Sequence, residues 1–241
     1  MSDRPACEYL AWDSDFFGLR IARAVAPLGP DSIGDVRAWC TAEKIDGVYA
    51  LLPCADRTGI ATAEASGFGL VDVRVTLVAD RGATAVTDRP DIRPARDGDR
   101  ASLRAIARAS HHDSRFYQDG HFPRARCDAL YETWIDQSCG GSADAVFVAV
   151  RDTEPVGYIT CERLPERAGR IGLFAVRASD HGRGLGRALV QRSLDWFGRA
   201  GTERVVVTTQ ARNVAALRLY ERCGFVTESV DLWYHWWRAD R

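Results

Sequence analysis

Apolar positions spaced three and four apart mark helices along this chain, and alternating or unbroken apolar runs mark strands. Ile92-Arg-Pro-Ala-Arg-Asp-Gly-Asp99 reads as a short strand and a polar turn. A helix is expected over Asp99–Ala109, where Leu103, Ile106 and Ala107 share one face. Ser110–Pro123 is polar and aromatic without a period and reads as a loop, followed by a helix near Arg126–Ile135. Ala145–Val150 and Val156–Leu164 read as paired strands across the turn Asp152-Thr-Glu-Pro155, and Arg170–Val176 as a third. A glycine-rich turn then leads into a helix to about Arg199. Strand Arg204–Thr209, helix Asn213–Arg222 and an aromatic strand Thr227–Trp237 complete the pattern. The clearest boundary lies at Ala79–Pro90, a polar stretch with Gly82 and Pro90, and it divides the chain into residues 1–88 and 89–241.

The two parts resemble each other at an offset of 157 residues. Val48-Tyr-Ala-Leu-Leu lies over Val205-Val-Val-Thr-Thr, and Glu64-Ala-Ser-Gly-Phe68 over Glu221-Arg-Cys-Gly-Phe225. Trp39 falls on Trp196. Each copy reads helix, strand, helix, Gly-Phe, strand. The copies differ where chemistry would reside: Ala63 matches Tyr220, Asp56 matches Asn213, and no glycine-rich turn precedes Asp31.

Composition changes this picture only at its edges. At 241 residues the chain has room for one full domain plus a fragment. With 32 basic and 33 acidic residues the net charge is -1, so a global field for nucleic acid is absent. No apolar run approaches the roughly 20 residues of a membrane span, and Met1–Cys7 lacks the apolar core of a signal peptide. The seven cysteines form no CxxC pair and no zinc spacing, which reads as reduced thiols in a cytoplasmic protein without a metal.

Candidate chemistry concentrates at His181-Gly-Arg-Gly-Leu-Gly186, between a strand and a helix. Gly182, Gly184 and Gly186 let the backbone turn tightly and aim successive N–H groups at one place, where the helix start adds partial positive charge. Such a turn suits phosphate. It is not a P-loop, since no Gly-Lys-Ser/Thr follows, and it lacks the last glycine of the dinucleotide fingerprint. Six arginines against Glu166 and Asp180 over Arg163–Arg187 favour an anionic ligand. Alone, the stretch reads equally as a glycine turn with solvated arginines. Asn213 and Tyr220, seven apart, share a helix face. Asn213 suits a plain N-cap as well as a ligand contact. Tyr220 suits a buried core position as well as a proton donor.

Strand Arg170–Val176, the loop His181–Gly186 and the helix Arg187–Gly198 resemble the acyl-CoA-binding motif of the GNAT N-acetyltransferase superfamily, Gln/Arg-x-x-Gly-x-Gly/Ala. Gly184 and Gly186 match, and His181 departs at the Gln/Arg position. Ile92–Asp99 resembles the family's opening strand and turn, and Asn213–Phe225 is similar to its second cofactor-side motif. The resemblance covers about residues 90–241. It implies an α/β (α+β) fold with a central mixed, splayed β-sheet flanked by helices. Residues 89–241 would be the catalytic domain, and 1–88 a truncated, non-catalytic GNAT-like copy. It further implies acetyl-CoA as acyl donor, held by Phe174, Ala175, Val176, His181, Gly182, Arg183, Gly184, Leu185, Gly186 and Asn213. Tyr220 would protonate the leaving thiolate.

A general base is harder to read. Arg170-Ile-Gly-Leu-Phe-Ala-Val176 carries no carboxylate, and Glu162 in the preceding strand reads as solvent-facing, which leaves a water relay. Leu10–Gly18, Ser114-Arg-Phe-Tyr117, Tyr131–Ile135 and Leu232–Trp237 resemble the branch of the family that acetylates nucleotide-linked amino-deoxysugars. Arg115, Phe116 and Tyr117 would then bind substrate, arginine on diphosphate and aromatics on the base. Any single one suits an ordinary surface loop equally. Trp233, Trp236 and Trp237 read as core or homodimer interface. The expected activity is acetylation of a small-molecule amine. Another amine acceptor, or a non-catalytic acyl-CoA sensor, is the alternative.

Overall fold

The computed structural model describes residues 6–25, 27–80, 89 and 91–238. Much of the polar stretch read as a boundary, residues 81–88 and 90, lies outside the described residues. In chain order the elements are β1 (Cys7–Tyr9), α1 (Ala11–Phe17), β2 (Ile21–Ala24), α2 (Ile33–Ala42), β3 (Gly47–Pro53), α3 (Arg57–Ala65) and β4 (Gly69–Asp80). They continue with β5 (Ile92–Pro94), α4 (Arg100–Arg108), α5 (Arg115–Gln118), α6 (Arg124–Gln137), β6 (Ala145–Arg151), β7 (Glu154–Arg163) and β8 (Ala168–Val176). The last are α7 (Leu185–Arg199), β9 (Arg204–Gln210), α8 (Val214–Arg222) and β10 (Val226–Trp237). Within the stretch read as a loop, α5 is a single helical turn, too short to leave a period in the sequence. No helix among the described residues is long and apolar enough to cross a membrane.

Two units divide the chain. The first comprises Met1–Arg74, Arg115–Phe122 and Ser229–Arg241. Its strands run β1 antiparallel to β2, β2 parallel to β3, and β3 antiparallel to the far part of β10, from Pro53↔Asp231 to Gly47↔Trp237. Val36, Ile45, Val48, Ala50, Leu52, Phe68 and Tyr234 form its core. The second comprises Val75–Ser114 and Pro123–Glu228. Here β5, β6, β7 and β8 form an antiparallel meander, and β8 lies parallel to β9. Its core joins Val75, Leu77 and Ala79 of β4 to Ile159, Ile171, Leu189, Phe197, Val207 and Phe225.

The 157-residue offset reappears in the geometry. β3 and β9, α3 and α8, and β4 and β10 each begin and end 157 residues apart. Asp56 Oδ1 accepts the Gly59 N–H at 2.9 Å at the start of α3, and Asn213 Oδ1 accepts the Ala216 N–H at 3.1 Å at the start of α8. Gly67 and Gly224 end these helices at φ of 83° and 89°. The last strands are exchanged. β10 completes the β3 edge of the first unit, while the far part of β4 supplies core residues to the second.

Candidate active site

A local irregularity in β8 sets the geometry. β7 and β8 pair from Gly157↔Val176 to Ile159↔Phe174, then resume at Cys161↔Ile171. Gly172 and Leu173 therefore oppose the single residue Thr160, a β-bulge in which the Leu173 N–H donates to Thr160 Oγ1 at 2.8 Å. On its other edge β8 pairs with β9 only from Ala168↔Arg204 to Ile171↔Val207, although both strands continue. The two parallel strands thus part at the bulge.

Backbone direction beyond the parting follows from one hydrogen bond. The Arg177 N–H donates to the Val156 carbonyl at 2.7 Å, toward β7. Because successive residues in a strand face opposite edges, Val176 and Phe174 present their N–H and C=O groups to the open side, and Ala175 faces β7. His181 Nε2 donates to the Val176 carbonyl at 2.7 Å, so the ring folds back to the strand end.

The glycine turn sits directly after. Gly182 and Gly184 have φ of 75° and 77°, conformations that side chains disfavour, and α7 begins at Leu185. Gly186 is tight for a different reason: an added Cβ would lie 3.2 Å from Phe174 Cζ and 3.3 Å from Leu219 Cδ2. Beneath the turn, Asp180 is fully covered and gathers Arg177 Nε at 2.7 Å, Ser179 Oγ at 3.1 Å, Arg151, and Arg183 Nε at 3.9 Å. The hydrogen bond from Arg177 holds its carboxyl below the usual range, against the effect of desolvation. Sequence reasoning did not single out Asp180; an aspartate flanked by Arg177 and Arg183 was the available signal. Arg183 keeps a side chain 59% exposed even with its Nε beside Asp180.

Tyr220 lies in α8, 3% exposed, its ring 6.1 Å from Phe174 and 5.5 Å from Phe225. Burial pushes its phenol well above the ordinary value of 10, so it remains a proton carrier through neutral and alkaline pH. Asn213 occupies the N-cap of the same helix, with its side-chain oxygen committed to Ala216. Among the loop histidines, His111 Nε2 lies 2.8 Å from the Tyr158 hydroxyl and its ring stacks on Tyr131 at 4.5 Å. Burial lowers its pKa to about 4, which keeps it neutral.

Arg115, Phe116 and Tyr117 fall on α5, in the first unit. Phe116 is 4% exposed and packs on Phe17 and Phe122, which leaves it no face for a ligand. Tyr117 is half-buried. The Arg115 guanidinium lies 4.3 Å from the Tyr49 ring and 4.4 Å from the Trp233 ring, and His235 Nε2 accepts from it at 3.2 Å. His235 Nδ1 in turn donates to Asp119 at 2.5 Å, which also accepts from Trp237 Nε1 and His121. Burial lowers the His235 pKa to about 4 despite that carboxylate. Burial alone would raise Asp119, but the hydrogen bonds from His235 and His121 outweigh it and hold the carboxyl low. Among the described residues no carboxylate lies within ion-pair distance of Arg115, although it acts electrostatically on Asp13, and the buried Tyr49 hydroxyl faces the same guanidinium. Neither Tyr49 nor the Asp119–His235 pair carries a local sequence signal, since they meet only in the fold.

Comparison with known proteins follows the same lines. Residues 106–225 match the model of the acetyltransferase (GNAT) family. The dTDP-fucosamine acetyltransferase of Escherichia coli is 29% identical over 98% of this chain and 100% of its own. The spore coat polysaccharide biosynthesis protein SpsD of Bacillus subtilis is 29% identical over 61% of this chain and 50% of its own. Among solved structures, a GCN5-related N-acetyltransferase from Sphaerobacter thermophilus superposes with a TM-score of 0.66 at 17% identity, covering 90% of this chain and 72% of that one.

Proposed function

Because the chain carries a GNAT acetyltransferase domain over residues 106–225, we propose that it transfers the acetyl group of acetyl-CoA to the amine of a nucleotide-linked amino-deoxysugar. The observation that carries the acceptor is the similarity, along nearly the whole of both chains, to dTDP-fucosamine acetyltransferase. A similarity confined to the acyl-CoA motifs would leave the acceptor open; this one extends through the first 90 residues.

The donor site is the parting of β8 and β9 with the turn that follows. Backbone N–H groups of Gly182, Arg183, Gly184, Leu185 and Gly186 suit the pyrophosphate, the His181 N–H being already bonded to the Ala178 carbonyl at 3.2 Å, and the exposed Arg183 adds charge. The open N–H and C=O of Phe174 and the open N–H of Val176, with Ala175 between them, suit the pantetheine arm and the thioester, whose carbonyl a strand N–H would polarise. Asn213, fixed at its cap, offers its amide nitrogen to the same arm.

The reaction is direct. The amine lone pair attacks the thioester carbonyl carbon, the new C–N bond forms as the C–S bond breaks, and Tyr220 gives its phenolic proton to the departing thiolate. Arg115, unpaired with any carboxylate among the described residues and framed by aromatic rings, suits the diphosphate of the acceptor. Tyr117 lies beside it, and Phe116 anchors both from the core. The shared element bounds support reading residues 1–88 as a truncated copy without catalytic residues, with Ala63 where 89–241 has Tyr220.

Incubation with acetyl-CoA and a panel of amines tests the reading. A dTDP-4-amino-4,6-dideoxyhexose should be acetylated with kcat/KM at least tenfold above aminoglycosides, free amino acids and peptide N-termini. Preference for one of those overturns the acceptor. CoA binding with no acetylation of any amine indicates a sensor.

A further inference from the structure

The unassigned group in this reaction is the one that takes the amine's proton. Strand β8 carries no carboxylate, but its neighbour reaches over it. Glu162 of β7 stands opposite Arg170, and Glu162 Oε2 is ion-paired with that guanidinium. The other oxygen points along the sheet. A Cβ added at Gly172 would lie 2.8 Å from Glu162 Oε1 and 2.7 Å from Thr160 Oγ1. Any side chain at 172 would displace the carboxylate, so the glycine serves to leave space.

Position gives this contact its meaning. Gly172 is the first residue of β8 past the last pair with β9, Ile171↔Val207, and the first of the two bulged residues. The freed groups of Phe174 follow two residues on. Glu162 Oε1 therefore lies over the vertex where the strands part. Its face is also distinct from that of the core. Ile159 and Cys161 of β7 point into the hydrophobic core with Ile171, whereas Thr160 and Glu162 alternate to the opposite side. Phe174 and Tyr220 belong to the core side. A carboxylate on the far side of the vertex stands across the sheet from the proposed donor to the thiolate.

The side chain of Glu162 is one-quarter exposed, and Oε1 has no hydrogen-bond partner among the described residues. The Arg170 pair engages Oε2 and leaves the other oxygen open. We propose that Glu162 is the general base, with Gly172 as the gap that lets it reach the reacting centre. As the amine nitrogen bonds to the carbonyl carbon, its proton passes to Oε1. Tyr220 supplies the proton the sulfur takes up. Glu162 then loses its proton to solvent and Tyr220 regains one.

Glu162→Gln tests this on the full chain. The readout is CoA thiol release, with a dTDP-4-amino-4,6-dideoxyhexose and without any acceptor, where water attacks the thioester and needs the same base. The expected result is a fall in kcat of about 100-fold or more, in both the acceptor and the acceptor-free assay, with an unchanged Kd for CoA by calorimetry. Gly172→Ala should lower kcat in the wild-type background and add little on Glu162→Gln, since both remove one group from one place. Retained turnover in Glu162→Gln overturns the assignment. So does a parallel loss of CoA binding, which marks Glu162 as structural. If the wild type ignores the nucleotide sugar while its acceptor-free hydrolysis still depends on Glu162, the acceptor reading fails and the base stands.

Discussion

Removal of one oxygen atom, by Tyr220→Phe, isolates the proposed acid from everything else around it. The ring is 3% exposed and packed between Phe174 and Phe225, so phenylalanine fills the same volume without a cavity. Among the described residues the hydroxyl makes no hydrogen bond, so its loss leaves no partner unsatisfied. Stability in urea should therefore stay within about 0.5 kcal/mol. Turnover should not. The leaving thiolate would develop charge beside two aromatic rings, with the phenol as its proton source. General acid catalysis of this kind supplies about 10²–10⁴ in rate, or about 3–5 kcal/mol of transition-state stabilisation. The assay is steady-state CoA release with a thiol-reactive chromophore. kcat should drop at least 100-fold while KM for acetyl-CoA moves less than about threefold. The wild-type profile carries its own signature. Burial raises the Tyr220 phenol, so kcat should show no alkaline fall near the ordinary phenol value of 10. A Tyr220→Phe enzyme with kcat within about threefold of wild type refutes the acid role, and an unperturbed alkaline limb at 10 refutes the burial argument.

Three further outcomes follow from the geometry. His111 and His235 titrate near 4 in the fold and 6.5 when unfolded, so the unfolded chain binds more protons between those values. Stability is complete above 6.5 and falls as pH drops toward 4, by about 2 kcal/mol per histidine at pH 5, and equal urea midpoints at pH 7 and 5 would contradict it. Arg115→Met should raise KM for the nucleotide-sugar acceptor about tenfold or more with KM for acetyl-CoA unchanged; an unaltered acceptor KM removes Arg115 from the site. Leu77→Ala opens a cavity in the second unit's core from a residue of β4, and should cost about 3 kcal/mol by urea denaturation. A cost below about 0.5 kcal/mol would contradict that packing.

What the sequence disclosed and what it withheld divide along one physical line. The glycine turn, α7 and the Asn213–Tyr220 helix were legible because caps, turns and periods are local properties of neighbouring residues. Strand β8 was legible as Arg170–Val176 and begins two residues earlier, at Ala168. The bulge within it left no trace, because it exists only relative to Thr160 in another strand. Glu162 read as solvent-facing for the same reason: nothing adjacent in the chain reveals that it leans over Gly172. The segment around Arg115 read as a loop of ligand residues. The fold instead places Phe116 in an aromatic core and recruits His235 and Asp119 behind the arginine.

The exchange of last strands has a consequence for the order of events during synthesis. Residues 47–53 cannot complete their edge of the sheet until residues 231–237 exist to pair with them. The N-terminal part of the chain must therefore wait, with β3 lacking its antiparallel neighbour, while nearly all the rest is translated at some 5–20 residues per second. Closing so large a loop makes this pairing among the slowest contacts to form. The meander β5–β8 pairs between neighbours in sequence and has no such delay. Vectorial folding of this chain thus runs against its numbering, with the middle settling first and the beginning closed by the end.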